Sequence, residues 1–132
     1  MEGQQLQQRQ CSWRLSDNKT IKLFQSKFTR VAFQKTAQGK PSRGLSISKE
    51  AFCRLHNMTT NIYDALDYKP KSPQVQLDDN VFLIFYSNHV KLTRYCTTRD
   101  NKKCDAAFFI FNGDEWVNFL DIIVDVMNEI NR

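Results

Sequence analysis

The chain has 132 residues, of which 41% are apolar, 12% aromatic and 25% charged, and its net charge is +5. That length suits one compact domain or two very small halves sharing a core. No apolar run approaches the roughly 20 residues of a membrane span, and the Gln-rich start MEGQQLQQRQ has no apolar stretch like that of a secretory signal, so an intracellular protein with no membrane partner is expected.

Residues 1–12 read as an N-terminal arm. From residue 13, WRLS and residues 19–24 read as two strands. In the second, Ile21 and Leu23 fall on one face and Thr20, Lys22 and Phe24 on the other. Residues 28–35 alternate likewise, with Val31 and Phe33 inward and Arg30, Ala32 and Gln34 outward. KTAQGKPSRG, residues 35–44, is a polar Gly/Pro-containing loop, and LSI, residues 45–47, is a short strand. Ser48 then stands as an N-cap before a helix with Phe52, Leu55, Met58, Ile62 and Leu66 on one stripe.

Residues 69–74, KPKSPQ, form a Pro-bearing linker. Beyond it, strands are expected near 75–77, 81–86, 89–96 and 106–111, with the loop TTRDNKK between the last two. Asn112 caps a final helix, residues 113–131, and Glu115 three positions later completes a capping-box pattern. Trp116, Phe119, Leu120, Ile123, Met127 and Ile130 supply its apolar stripe.

The two halves repeat one plan. WRLSDNKTIKLF aligns with VQLDDNVFLIFY, placing Leu15 on Leu77, Ile21 on Leu83 and Phe24 on Tyr86. Arg30 and Val31 align with Lys91 and Leu92. LSISKEAFCRL aligns with FIFNGDEWVNFL, placing Ser48 on Asn112 and Phe52 on Trp116. The repeats are therefore residues 13–68 and 75–132, and the fold class is α+β: two tandem copies of a four-stranded antiparallel sheet followed by one helix. Charge is divided unequally, with +8 over residues 1–71 and −3 over residues 72–132, so a polyanion that meets one face is the expected partner.

This order of elements resembles the positive cofactor 4 family of transcriptional coactivators. KPSRGLSISKEAF and FIFNGDEW look like that family's basic loop, last strand and helix start, and VQLDDNVFLIFY and WRLSDNKTIKLF like its first two strands. The resemblance spans nearly all of residues 13–131, twice. It implies a curved sheet, binding of single-stranded DNA, and an intramolecular pseudo-dimer in place of the family's homodimer. It also sets Lys19 on a basic site of the family's binding surface, whereas Phe24 stands where the family tends to have a basic residue.

Single-strand binders need cations for phosphates and flat rings for bases. In the first copy the candidate cations are Lys19, Lys22, Lys27, Arg30, Lys35, Lys40 and Arg43, with Lys19 on core-side parity at a strand end. Phe24 or Phe28 offers a stacking platform, or Phe28 caps the edge of the core. In the second copy Lys91, Arg94, Arg99, Lys102 and Lys103 extend the basic track. Phe82, Ile84 and Tyr86 are expected outward beside the inward Leu83 and Phe85, leaving both faces of that strand apolar. A protein or self-association interface, base stacking, or cover by the N-terminal arm are the competing explanations.

Four cysteines without a CxxC pair and two histidines make a zinc site an unexpected reading, and no nucleophile, base or metal-ligand constellation points to an enzyme or a cofactor. Cys96 and Cys104 flank a polar loop at a spacing compatible with a hairpin, and free thiols in a reducing compartment are expected. The expected function is single-stranded DNA binding with little sequence specificity in transcription or replication, in the nucleus or a viral replication compartment. The alternatives are an RNA-binding protein and a protein-interaction adaptor.

Overall fold

The computed structural model describes residues 9–37, 40–41, 44–67 and 74–132, with side chains at residues 10–37, 44–58 and 74–132. The first repeat holds β1 (Arg9–Ser16), β2 (Lys19–Gln25), β3 (Thr29–Ala37), β4 (Lys40–Pro41), β5 (Leu45–Ser48) and α1 (Lys49–Asp67). The second holds β6 (Gln74–Gln76), β7 (Val81–Phe85), β8 (His89–Thr97), β9 (Lys103–Asn112) and α2 (Gly113–Ile130). Each sheet is antiparallel, ordered β1-β2-β3-β5 in the first, with the two-residue β4 also on β3, and β6-β7-β8-β9 in the second. The tandem plan of four strands and a helix, packed as an intramolecular pair, is thus present.

Strand bounds differ from the expectation in three places. β1 starts at Arg9, because Cys11, Trp13 and Leu15 alternate onto the core side, so residues 9–12 belong to the sheet and not to the arm. The loop at 35–44 is partly consumed by β3, which runs to Ala37, and by β4. TTRDNKK closes as a tight turn in which Asn101, at φ 60°, donates its N–H to Thr98 O at 2.9 Å.

Both helix starts are capped as the sequence predicts. Ala51 N donates to Ser48 Oγ at 3.1 Å. Glu115 N donates to Asn112 Oδ1 at 2.8 Å while Asn112 N donates to Glu115 Oε1 at 2.9 Å. Phe52, Leu55, Trp116 and Phe119 all enter the core. The side chains of Ile62 and Leu66, expected on the α1 stripe, lie outside the described residues.

One apolar cluster serves both repeats. Phe33 of the first repeat stands 5.6–6.0 Å, ring centre to ring centre, from Phe109, Phe111 and Phe119 of the second, and Phe52 lies 6.5 Å from Phe119. The helices cross-brace the halves reciprocally. Asn118 on α2 donates to Leu15 O at 2.8 Å, and Arg54 on α1 donates to Leu77 O at 2.8 Å. Leu15 aligns with Leu77 and Arg54 with Asn118, so the two contacts are copies of one contact, as in a twofold dimer interface.

Candidate nucleic-acid interface

The outer face of the first sheet follows from strand register. Across β2 and β3, Lys22 is opposite Ala32 and Phe24 is opposite Arg30, while Ile21 and Leu23 face Phe33 and Val31 on the core side. β5 adds Ser46 beside Ala32 and Ser48 beside Arg30. Phe24, Arg30, Ala32, Gln34, Gly44 and Ser46 border a shallow depression of about 320 Å³. A neighbouring one of about 500 Å³ shares Arg30 and Ser46 and is also lined by Lys27, Phe28, Lys49, Glu50 and Arg94. Gly44 admits this close strand entry, since a Cβ there would lie 2.0 Å from Phe33 O.

Lys27, Arg30 and Lys35 are exposed and Lys22 half-buried, and among the described residues no carboxylate forms an ion pair with any of them. Phe28 is 71% exposed at the β2–β3 turn, with Lys27 Nζ 5.9 Å from its ring centre, so it does not cap the core. The Lys40 and Arg43 side chains lie outside the described residues. Lys35 borders a cleft of about 460 Å³ between the repeats, together with Phe108, which is 51% exposed. Phe108 is absent from the sequence-based candidates. Its signal is the alternation of β9, which sets Phe109 and Phe111 inward and Phe108 opposite Thr93 on the outer side.

Two expected cations are used inside the molecule instead. Lys19 is 13% exposed, and its Nζ donates to Glu115 Oε1 at 2.7 Å and to Ile110 O at 2.6 Å. A capping-box carboxylate buried against the other repeat requires a counter-charge, and Lys19 supplies it. Burial opposes ionisation of Glu115, but hydrogen bonds from Lys19, Ser16 Oγ (2.6 Å) and Asn112 N outweigh it and hold the pKa below the usual carboxylate value. Arg94 likewise reaches across to donate to Ser46 O.

The remaining cations of the second repeat are partly engaged. Lys91 lies 2.7 Å from Asp105 and 5.2 Å from the centre of the Phe108 ring. Their hydrogen bond raises the Lys91 pKa and, with a second from Thr93, lowers that of Asp105. Lys103 Nζ lies 5.7 and 5.6 Å from the ring centres of Phe82 and Tyr95. Arg99 and Lys102 stand exposed at the β8–β9 turn.

The outward strip Phe82, Ile84 and Tyr86 is not a continuous exposed apolar surface. Ile84 is 8% exposed, and Phe82 is half-buried against Tyr95, 5.4 Å between ring centres. Tyr86 alone is well exposed, at 41%, and stacks on His89 at 4.5 Å.

Register also corrects one correspondence between repeats. Leu23 pairs with Val31 and Phe85 with Val90, so the second hairpin turn is shorter and Val31 corresponds to Val90, not Leu92. Arg30 then corresponds to His89, not Lys91, and Lys22 to Ile84. The two basic positions of the first outer face have no lysine or arginine counterpart in the second.

Among the described residues no group of three or more His, Cys, Asp or Glu is arranged to hold a metal ion, and no helix is long and apolar enough to cross a membrane. No family model and no curated protein matches the chain. A solved structure of trypanosome (Trypanosoma brucei) MRP1/MRP2 is 12% identical, with a TM-score of 0.45 over 97% of this chain and 88% of that one. That likeness is too distant to bear on fold or function.

Proposed function

We propose that this protein binds single-stranded DNA with little sequence preference along the outer face of its first sheet, inside the cell, in transcription or replication. One observation carries the reading: Lys22, Lys27 and Arg30 have no carboxylate partner among the described residues and lie beside Phe24 and the exposed Phe28, and Lys35, on the opposite side of β3 at the cleft between the repeats, is likewise unpaired. Unpaired cations are available to displace counterions from phosphates, and exposed rings accept bases of any identity. The likeness of the sequence to the positive cofactor 4 family supports the same reading, with both halves supplied by one chain.

The test is fluorescence anisotropy with a labelled single strand of roughly 20 nucleotides, as DNA and as RNA, across a salt series. Affinity should fall steeply with salt, and the triple variant Lys22→Ala/Arg30→Ala/Lys35→Ala should flatten the log–log slope by about 2, at about 0.7 per lost phosphate contact. Unchanged affinity in that variant would overturn the proposal, and tighter binding to RNA would reassign the ligand.

A further inference from the structure

We propose that Cys96 and Cys104 form a redox-modification site, at which a low-molecular-weight disulfide such as oxidised glutathione converts the two thiols into a bridge across the β8–β9 hairpin. The two residues are direct partners in the antiparallel register. Residues so placed have Cα atoms about 4.5 or 5.5 Å apart, both within the range a disulfide spans. Both cysteines are free and exposed, and their Sγ atoms lie 2.8 Å apart. Reagent can therefore reach either sulfur, and the second sulfur is already in place. Cys11 and Cys53, in contrast, are only partly exposed.

The exchange balances without any further reactant. One cysteine thiolate attacks a sulfur of glutathione disulfide, forming a mixed disulfide and releasing one glutathione thiolate, which takes up the proton lost. The other cysteine then attacks the protein-side sulfur of the mixed disulfide, breaking that bond and releasing the second glutathione. Two protein thiols are oxidised and one glutathione disulfide is reduced to two thiols. The hydrogen bond between the two thiols raises the Cys104 pKa, with slight desolvation and the negative charge of Asp105 adding to the effect. The bridge closes the neck of the turn that carries Arg99, Lys102 and Lys103.

The reduced full-length chain is incubated with a series of glutathione to glutathione-disulfide ratios, quenched in acid, alkylated and weighed intact, with peptide mapping. The expected product has lost two hydrogens and two alkylation sites, at Cys96 and Cys104, while Cys11 and Cys53 remain alkylated. Cys104→Ser should stop at one glutathione on Cys96. A wild-type chain that stops at mixed disulfides, bridges through Cys11 or Cys53, or stays fully alkylated at every ratio overturns the proposal.

Discussion

In the first sheet Lys22 and Arg30 stand on the outer face with no carboxylate paired to them among the described residues, whereas in the second their counterparts are Ile84 and His89. The cations that the second sheet does carry outward are tied down, Lys91 to Asp105 and Lys103 over the rings of Phe82 and Tyr95. One pair of positions is alike in both: Phe24 opposite Arg30 becomes Tyr86 stacked on His89. The difference teaches that a duplicated fold can share its core and its mutual bracing while, among the described residues, only one copy presents unpaired lysine and arginine on its outer sheet face. A true homodimer has two identical faces, and a fused pair is released from that constraint.

The comparison assumes a shared core, and the strongest way to break it is at Phe33. Phe33→Ala removes a fully buried ring that touches three aromatics of the other repeat, and should cost about 3–5 kcal/mol in urea unfolding. The loss should come within a single transition. Two separable transitions would mean that the repeats fold independently.

Next in size is the junction. Lys19→Met leaves the Glu115 carboxylate buried without its counter-charge and should cost about 3 kcal/mol, a good part of it regained in Lys19→Met/Glu115→Gln. A Lys19→Met variant that is as stable as the parent but binds nucleic acid poorly would return Lys19 to the binding surface.

The two aromatic positions differ more finely. Phe28→Ala should weaken single-strand binding by about 1–2 kcal/mol if a base stacks there. Its effect on stability should stay within about 0.5 kcal/mol, since the ring is 71% exposed. Tyr86→Ala in the second repeat should leave affinity unchanged. Equal losses from both would show that the strand crosses both sheets.

The smallest effect concerns pH. Glu115 and Asp105 both have lowered pKa values, so each contributes stability above its unfolded value, about 4.3 and 3.9. That contribution should be lost as pH falls through the folded values. Denaturation midpoints between pH 6 and 3 should fall less steeply in Glu115→Gln and, by a smaller margin, in Asp105→Asn. The raised pKa of Lys91 acts at the other end, with its stability lost only as pH rises past the lysine range.

Much of the fold was legible in residue order. Alternation in β2 and β3, the Ser48 and Asn112 caps, and the helix stripe through Phe52 and Leu55 all follow from local periodicity and capping chemistry. Phe28 was legible only as a choice between core edge and open surface, because a turn residue has no strand parity. The internal contacts of Lys19 and Arg94 were not legible for one reason: their partners, Glu115 and Ile110 O for Lys19 and Ser46 O for Arg94, are distant in sequence and belong to the other repeat.

The sequence by itself determined the duplicated plan, the inward and outward side of most strand residues, and the concentration of positive charge in the first half. Those are properties of near neighbours and of composition. Only the tertiary structure decided which cations are engaged by other groups of the chain, how the shorter β7–β8 turn shifts the match between repeats, and that Cys96 lies against Cys104. Each depends on register or on contacts between the halves, and a one-residue change in either sends a side chain to the opposite face.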